Sequence, residues 1–277
     1  MRYFKIEFKR LLFTKSFWIA MVIACCISIG QYISYGFLRG DAYGDWVAAY
    51  GAGYMIQPSS LFISWIGGEL NSMFMFLFLA ILPLLGSFAY SGTYLKDRKL
   101  GQIKNVFTRL EAGNYYRSKW IIVFIAGFLV AFIPLVLNVY LHLTYSIPLK
   151  PIIESLTTEV YYDRAKWIFD LYYNNPWVYM GLYVFMIALF SGVYATLGMA
   201  FSIWIRRGLV AVIGPLILWR VIDLVFSLIH KSNLGMSNQL FPTLAHMNLK
   251  MVGFYLLFLL SLSILPIYIR YKRKGDF

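Results

Sequence analysis

Residues 96–119 read KDRKLGQIKNVFTRLEAGNYYRSK, and residues 120–147 read WIIVFIAGFLVAFIPLVLNVYLHLTYSI. The first stretch carries seven of the chain's 25 Lys and Arg residues, and the second carries no Lys, Arg, Asp or Glu at all. At ~1.5 Å of rise per residue, the second stretch is long enough to cross a hydrocarbon core of ~30 Å. Lipid offers the backbone no hydrogen-bond partner, so a spanning segment of this kind must be a helix.

The same alternation of apolar run and polar connection extends in both directions. Apolar spans fall at roughly Phe17–Leu38, Leu70–Leu95, Trp120–Ile147, Trp177–Ile205, Gly208–Ile229 and Met251–Ile269. The fold class is therefore an all-α polytopic membrane protein with six transmembrane helices. An apolar share of 60% and a mean hydropathy of +0.67 agree with this, since soluble domains hold about 45–50% apolar residues. No connection is long enough for a globular extramembrane domain, so residues 1–277 read as one membrane domain.

The cations set the orientation. Eighteen of the 25 Lys and Arg residues precede the first span, lie in 96–119, form the Arg206–Arg207 turn or follow the sixth span. Six lie in the alternate connections, and Arg220 alone lies inside a span. The positive-inside bias puts both termini and the 96–119 loop in the cytoplasm. The net charge of +13 is thus a topology signal, and no soluble basic domain exists to present it to a nucleic acid. Val22-Ile23-Ala24-Cys25 loosely imitates a lipoprotein cleavage site, but the apolar run continues past Cys25, so an uncleaved first span is expected. Cys25 and Cys26 are the only cysteines and read as small apolar residues, with no disulfide or metal framework.

Residues 1–15 place Phe4, Phe8 and Leu11 on one helical face and Arg2, Lys5 and Lys9 on another. That pattern predicts a basic amphipathic elbow helix on the anionic inner leaflet, either as a topology anchor or as a contact for a cytoplasmic partner. In the 96–119 loop, Leu100, Ile103, Val106 or Phe107, and Leu110 recur at helical spacing. They predict a short amphipathic helix, broken by Gly113-Asn114. Such a helix either lies on the surface as a connector or docks into a groove of a soluble partner.

The loop resembles the first cytoplasmic loop of ABC type-2 exporter permeases. The matching residues are Asp97, Gly101, Ile103, Thr108-Arg109 and Ser118-Lys119. Pro58–Gly67, Leu82-Pro83-Leu84-Leu85 and Pro134–Asn138 are similar to patterns in a subgroup of these permeases from low-GC Gram-positive bacteria. The resemblance implies two permease chains, identical or different, and two ATPase subunits bound from the cytoplasm. The ATP and Mg then sit on those partners, and this chain holds no cofactor. The ATPase contact would fall on Asp97, Gly101, Ile103, Val106, Phe107, Thr108 and Arg109. The chain itself has no Gly-x-x-x-x-Gly-Lys-Ser/Thr segment to cradle a nucleotide, no His-Glu-x-x-His and no Gly-x-Ser-x-Gly. His142, His230 and His246 are scattered, so no metal site is expected and the chain reads as a transport subunit, not an enzyme.

Inside the membrane, Arg220 and Asp223 stand three residues apart on the fifth span. A charge at a helix centre costs roughly 2.5–3.5 kcal/mol on the insertion scale, so the spacing predicts that the two neutralise each other. The pair is either a structural lock or a polar point on the substrate path. Asn138 is expected to bond a neighbouring helix. Ala188, Gly192, Ala195, Gly198 and Ser202 form a small-residue face for close packing. Phe241-Pro242-Thr243-Leu244 could dip back into the membrane from the last outer loop.

The reading is a multi-pass permease of the bacterial cytoplasmic membrane that exports an amphipathic peptide, lipid-like molecule or drug. The alternative is a non-transporting scaffold or sensor subunit that binds a cytoplasmic partner through the 96–119 loop.

Overall fold

The computed structural model describes residues 2–38, 60–68, 72–108, 112–151, 171–205, 207–241 and 248–272. Among them the regular elements are helical. They include α1 (Arg2–Leu12), α2 (Lys15–Leu38), α3 (Leu61–Ser64), α4 (Met73–Tyr90), α5 (Thr93–Lys99), α6 (Gln102–Phe107) and α7 (Ala112–Tyr145), then α8 (Pro176–Ile205), α9 (Gly208–Leu228), a short 3-10 helix (Ser232–Leu234), α10 (Met236–Leu240) and α11 (Leu249–Lys272). Six helices are long and apolar enough to cross a membrane: α2, α4 running on into α5, α7, α8, α9 and α11. The protein is a multi-pass membrane protein.

α8 is the axis of the bundle. It packs against α4, α7, α9 and α11, while α2 leans on α4 and α7. The small-residue face explains this placement. Ala188, Gly192, Ala195, Gly198 and Ser202 are all buried, and a Cβ at Gly198 would collide with the Ala211 carbonyl of α9. Small side chains let backbones approach, which is how helices gain packing energy where lipid supplies no hydrophobic drive. Pro83, Pro134, Pro215 and Pro266 all lie inside helices, as membrane helices tolerate.

The 96–119 region differs from the single helix that its periodicity predicts. It is split at Gly101, whose φ of +67° is left-handed and suits glycine, which lacks a Cβ. α5 ends before the split as a near-continuation of α4, and α6 follows it. Leu100 therefore points to solvent, 69% exposed, while Ile103 is 6% exposed. The two do not share a face, because the left-handed residue between them resets the helical phase. Gly113-Asn114 do not break a helix either. They sit in the first turn of α7, where backbone N–H groups have no intrahelical acceptor to lose. Arg109 and Leu110 lie outside the described residues.

At the end of the bundle away from α5 and α6, two short segments enter the helix packing. In α3 and the residues after it, Leu61, Phe62, Trp65 and Ile66 are buried. Asn138 holds this segment by accepting from Ile66 N at 2.9 Å, while its amide donates to Ser28 O and Gln31 Oε1 on α2. The expected interhelical bond of Asn138 is thus present. α10 is the second segment, with Met236, Leu240 and the following Phe241 buried. Tyr183 of α8 touches both, through an edge-on ring contact with Trp65 and a 3.0 Å bond from its hydroxyl to Leu240 O. Phe241 does lie in the packing, against Phe76; Pro242, Thr243 and Leu244 lie outside the described residues.

Candidate functional site

α1 does not turn its apolar face to lipid. Phe4, Phe8 and Leu11 pack into the protein core, against α7 above all. Glu7 sits among them on the same face and is 2% exposed. An acid in the middle of an apolar stripe needs a partner, because an isolated buried carboxylate is very costly.

Its partner is Lys119, from the second turn of α7. The Lys119 side chain is fully buried, and its Nζ lies 2.9 Å from Glu7 Oε2 and 2.8 Å from Asp97 Oδ2 on α5. Arg10 closes the group from the more open side, with Nη2 2.5 Å from Asp97 Oδ1 and Nη1 3.4 Å from Glu7 Oε1. Two carboxylates thus meet two cations. Three tyrosines complete the hydrogen bonding. Tyr3 donates to Glu7 Oε1 at 3.0 Å, Tyr90 to Glu7 Oε2 at 2.9 Å and Tyr115 to Asp97 Oδ2 at 3.3 Å. The Lys119 ammonium also lies 5.0 Å from the Tyr90 ring centroid, within cation–π range.

Burial alone would raise the Glu7 carboxyl, but the Lys119 charge and the bonds from Lys119 and Tyr90 outweigh it, and the group lies below the ordinary Glu value. The Arg10 guanidinium follows the same logic in reverse. Burial disfavours its charge, yet Asp97 and Glu7 hold it firmly protonated. Tyr3 is pushed up by burial and by the Glu7 charge, so it stays a donor. The cluster is a charge-balanced lock that ties α1, α4, α5 and α7 together at one end of the bundle, with Asp97 Oδ1 held by its ion pair to Arg10 alone.

Above the lock lies a cleft of about 760 Å³. Tyr3 and Ile6 of α1 form one wall, and Gln102, Ile103, Asn105 and Val106 of α6, with Thr108, form the other. Gln102, Asn105 and Thr108 are exposed at its rim. The volume is in the range of ordinary ligand pockets, ~300–1,000 Å³, and Glu7, Arg10, Asp97 and Tyr115 of the lock line its floor.

The structure sorts the residues that the sequence singled out. Ile103, Val106 and Thr108 line the cleft, and Phe107 packs edge-on against Tyr115 beneath it. Gly101 is the hinge between α5 and α6. Asp97 lines the floor of the cleft but is 2% exposed and bound inside the lock. It also anchors the loop. Arg220 and Asp223 do not form the expected pair. Asp223 accepts from Ser237 N at 3.0 Å and Ser237 Oγ at 2.5 Å, which caps the N-terminus of α10 from the neighbouring helix. Arg220 lies over the Trp219 ring at 5.3 Å instead. Helix spacing allows an i, i+3 contact, but a short helix with free N–H groups is the stronger claimant on a carboxylate. His142 bonds Gln31 Oε1 at 2.8 Å, and His230, at a φ of 56°, ends α9. His246 lies outside the described residues.

Glu7 and Arg10 are the residues that sequence reasoning missed. The signal was present, since Glu7 is the one acid in a basic helix and falls at the spacing of Phe4, Phe8 and Leu11. Compared with known proteins, the chain matches no protein-family model, no curated protein and no solved structure.

Proposed function

We propose that this chain is the membrane-spanning permease subunit of an ATP-driven exporter of the ABC type-2 kind, working as a dimer with separate ATPase subunits. The observation that carries the reading is the lock beneath the cleft. A partner seated between α1 and α6 would press on Ile103, Val106 and Tyr115. Tyr115 is bonded to Asp97, and Asp97 to Lys119 at the root of α7. A push at the cleft thus reaches spanning helices through buried, charge-assisted contacts that have no slack. A surface connector would need neither a cleft nor a buried lock.

In this reading the basic end faces the cytoplasm of a bacterial cell and α1 is the elbow that closes one side of the docking cleft. ATP and Mg are held by the ATPase chains, and the coupling residues are Gly101, Ile103, Val106, Phe107 and Thr108. Asp97 is their anchor. The cargo is an amphipathic molecule that moves along the apolar helices.

Purification of the chain from its native membrane tests this. The preparation should hydrolyse ATP, and the double variant Gln102→Arg/Asn105→Arg, altered only at exposed rim positions, should lose that activity while keeping its melting temperature. A preparation that hydrolyses no ATP, or a rim variant with full turnover, would favour the scaffold reading.

A further inference from the structure

Among the described residues, Arg220 is a cation midway along a span that no ion pair joins to an acid. It lies on α9 between the exposed residues Leu209, Ile213, Ile217, Leu224 and Leu228. At about 100° per residue these five occupy a single arc of about 100°, and Arg220 falls within it. The guanidinium is therefore set in the middle of an exposed apolar stripe. Eight residues, about 12 Å, separate it from Leu228, and twelve, about 18 Å, from Gly208. Helix side chains lean toward the N-terminus, so Arg220 leans away from the nearer end and cannot easily reach water there.

Among the described residues no carboxylate answers it. Apart from Asp97 in the lock, the six spans contain one acid, Asp223, and both its oxygens are bound to Ser237. Among the described residues, the ion pairs join Glu7, Arg10, Asp97 and Lys119. A second copy packed stripe to stripe would bring a second Arg220, not a free acid. An anion that pairs with Arg220 is thus to be sought outside the described residues.

We propose that Arg220 and its stripe bind the phosphate or carboxylate head of an anionic amphiphile whose tail lies along Leu209, Ile213 and Ile217, and that this amphiphile is the transported molecule. The planar guanidinium, backed by the Trp219 ring, can offer two parallel N–H donors to such a head. That the bound molecule is cargo rests on the exporter reading; the binding itself does not.

The test uses the full chain in nanodiscs of phosphatidylcholine, with dodecyl phosphate as the probe. Wild type should bind it saturably, and Arg220→Gln about tenfold or more weakly, as loss of a charge-assisted bond requires. Arg220→Lys should keep part of the affinity. Dodecyl maltoside, with the same tail and a neutral head, should bind no better than dodecyl phosphate binds Arg220→Gln. Equal binding of dodecyl phosphate to wild type and Arg220→Gln would overturn the proposal, as would loss of the dimer in Arg220→Gln, which would give Arg220 to an interface. Phosphatidylglycerol in the discs that abolishes probe binding would assign the site to a resident lipid and overturn the cargo claim. No ATPase is present in these measurements, so their failure leaves the exporter reading standing, and failure of ATPase association leaves them valid.

Discussion

Lys119 and Glu7 are 112 positions apart in the chain and 2.9 Å apart in space, both buried. That contact, shared with Asp97, makes the start of α7, the end of α5 and the whole of α1 one mechanical unit. Removing Lys119 would leave two carboxylates buried together. Lys119→Met should cost about 3–5 kcal/mol, the usual penalty for breaking one side of a buried ion pair. The triple variant Glu7→Gln/Asp97→Asn/Lys119→Met should regain more than half of that loss, because it removes the charges as well as their attraction. Thermal unfolding in detergent measures both; a single variant as stable as wild type would remove the lock from the account.

The lock should respond to acid in a defined direction. The Glu7 carboxyl lies below its ordinary value of 4.5 in the folded protein, so its contribution is complete above that pH and fades as the pH falls through the lower folded value. Wild type should therefore be more stable than Glu7→Gln by a constant margin from pH 7 down to about 4.5, with the margin shrinking as the pH falls from there through the lower folded value. A margin that already shrinks between pH 7 and 5 would place another group in control.

Gly101 should tolerate no side chain comfortably. Open space surrounds it, so the cost of Gly101→Val is that of the left-handed backbone alone, roughly 1–2 kcal/mol. The variant should insert into the membrane normally and show faster proteolysis within 96–108. Unchanged proteolysis would mean that the hinge can re-form with another backbone angle.

Asp223 should act through α10 and not through Arg220. Asp223→Ala should cost about 1–2 kcal/mol as the loss of a helix cap. Its coupling to Arg220→Leu in a double-mutant cycle should stay within about 0.5 kcal/mol, as for sites that share no partner. A coupling of several times that size would restore the Arg220–Asp223 pair.

The spans were legible because each is a long apolar run whose length and charge-free interior leave one solution in lipid. The small-residue face of α8 was legible for the same reason, since Gly192 and Gly198 are useful there only if another helix comes close. The lock was not. Asp97 and Lys119 both stood out in the loop, but nothing in a linear reading brings Glu7 to them from α1, because ion pairing over 112 residues depends on tertiary packing. Arg220 and Asp223 misled for a related reason. Local spacing made them partners, while the free N–H groups of α10, fourteen residues on, offered Asp223 a better one.

A photo-reactive amino acid at Asn105 reports what docks in the cleft above the lock. Asn105 is exposed at the rim, so the replacement leaves the core untouched. After illumination of native membranes, position 105 should cross-link to a subunit that binds and hydrolyses ATP, and position 250, where Lys250 is exposed at the other end of the bundle, should not. A cross-link from position 105 only to proteins without ATPase activity, or to lipid alone, would contradict the exporter reading.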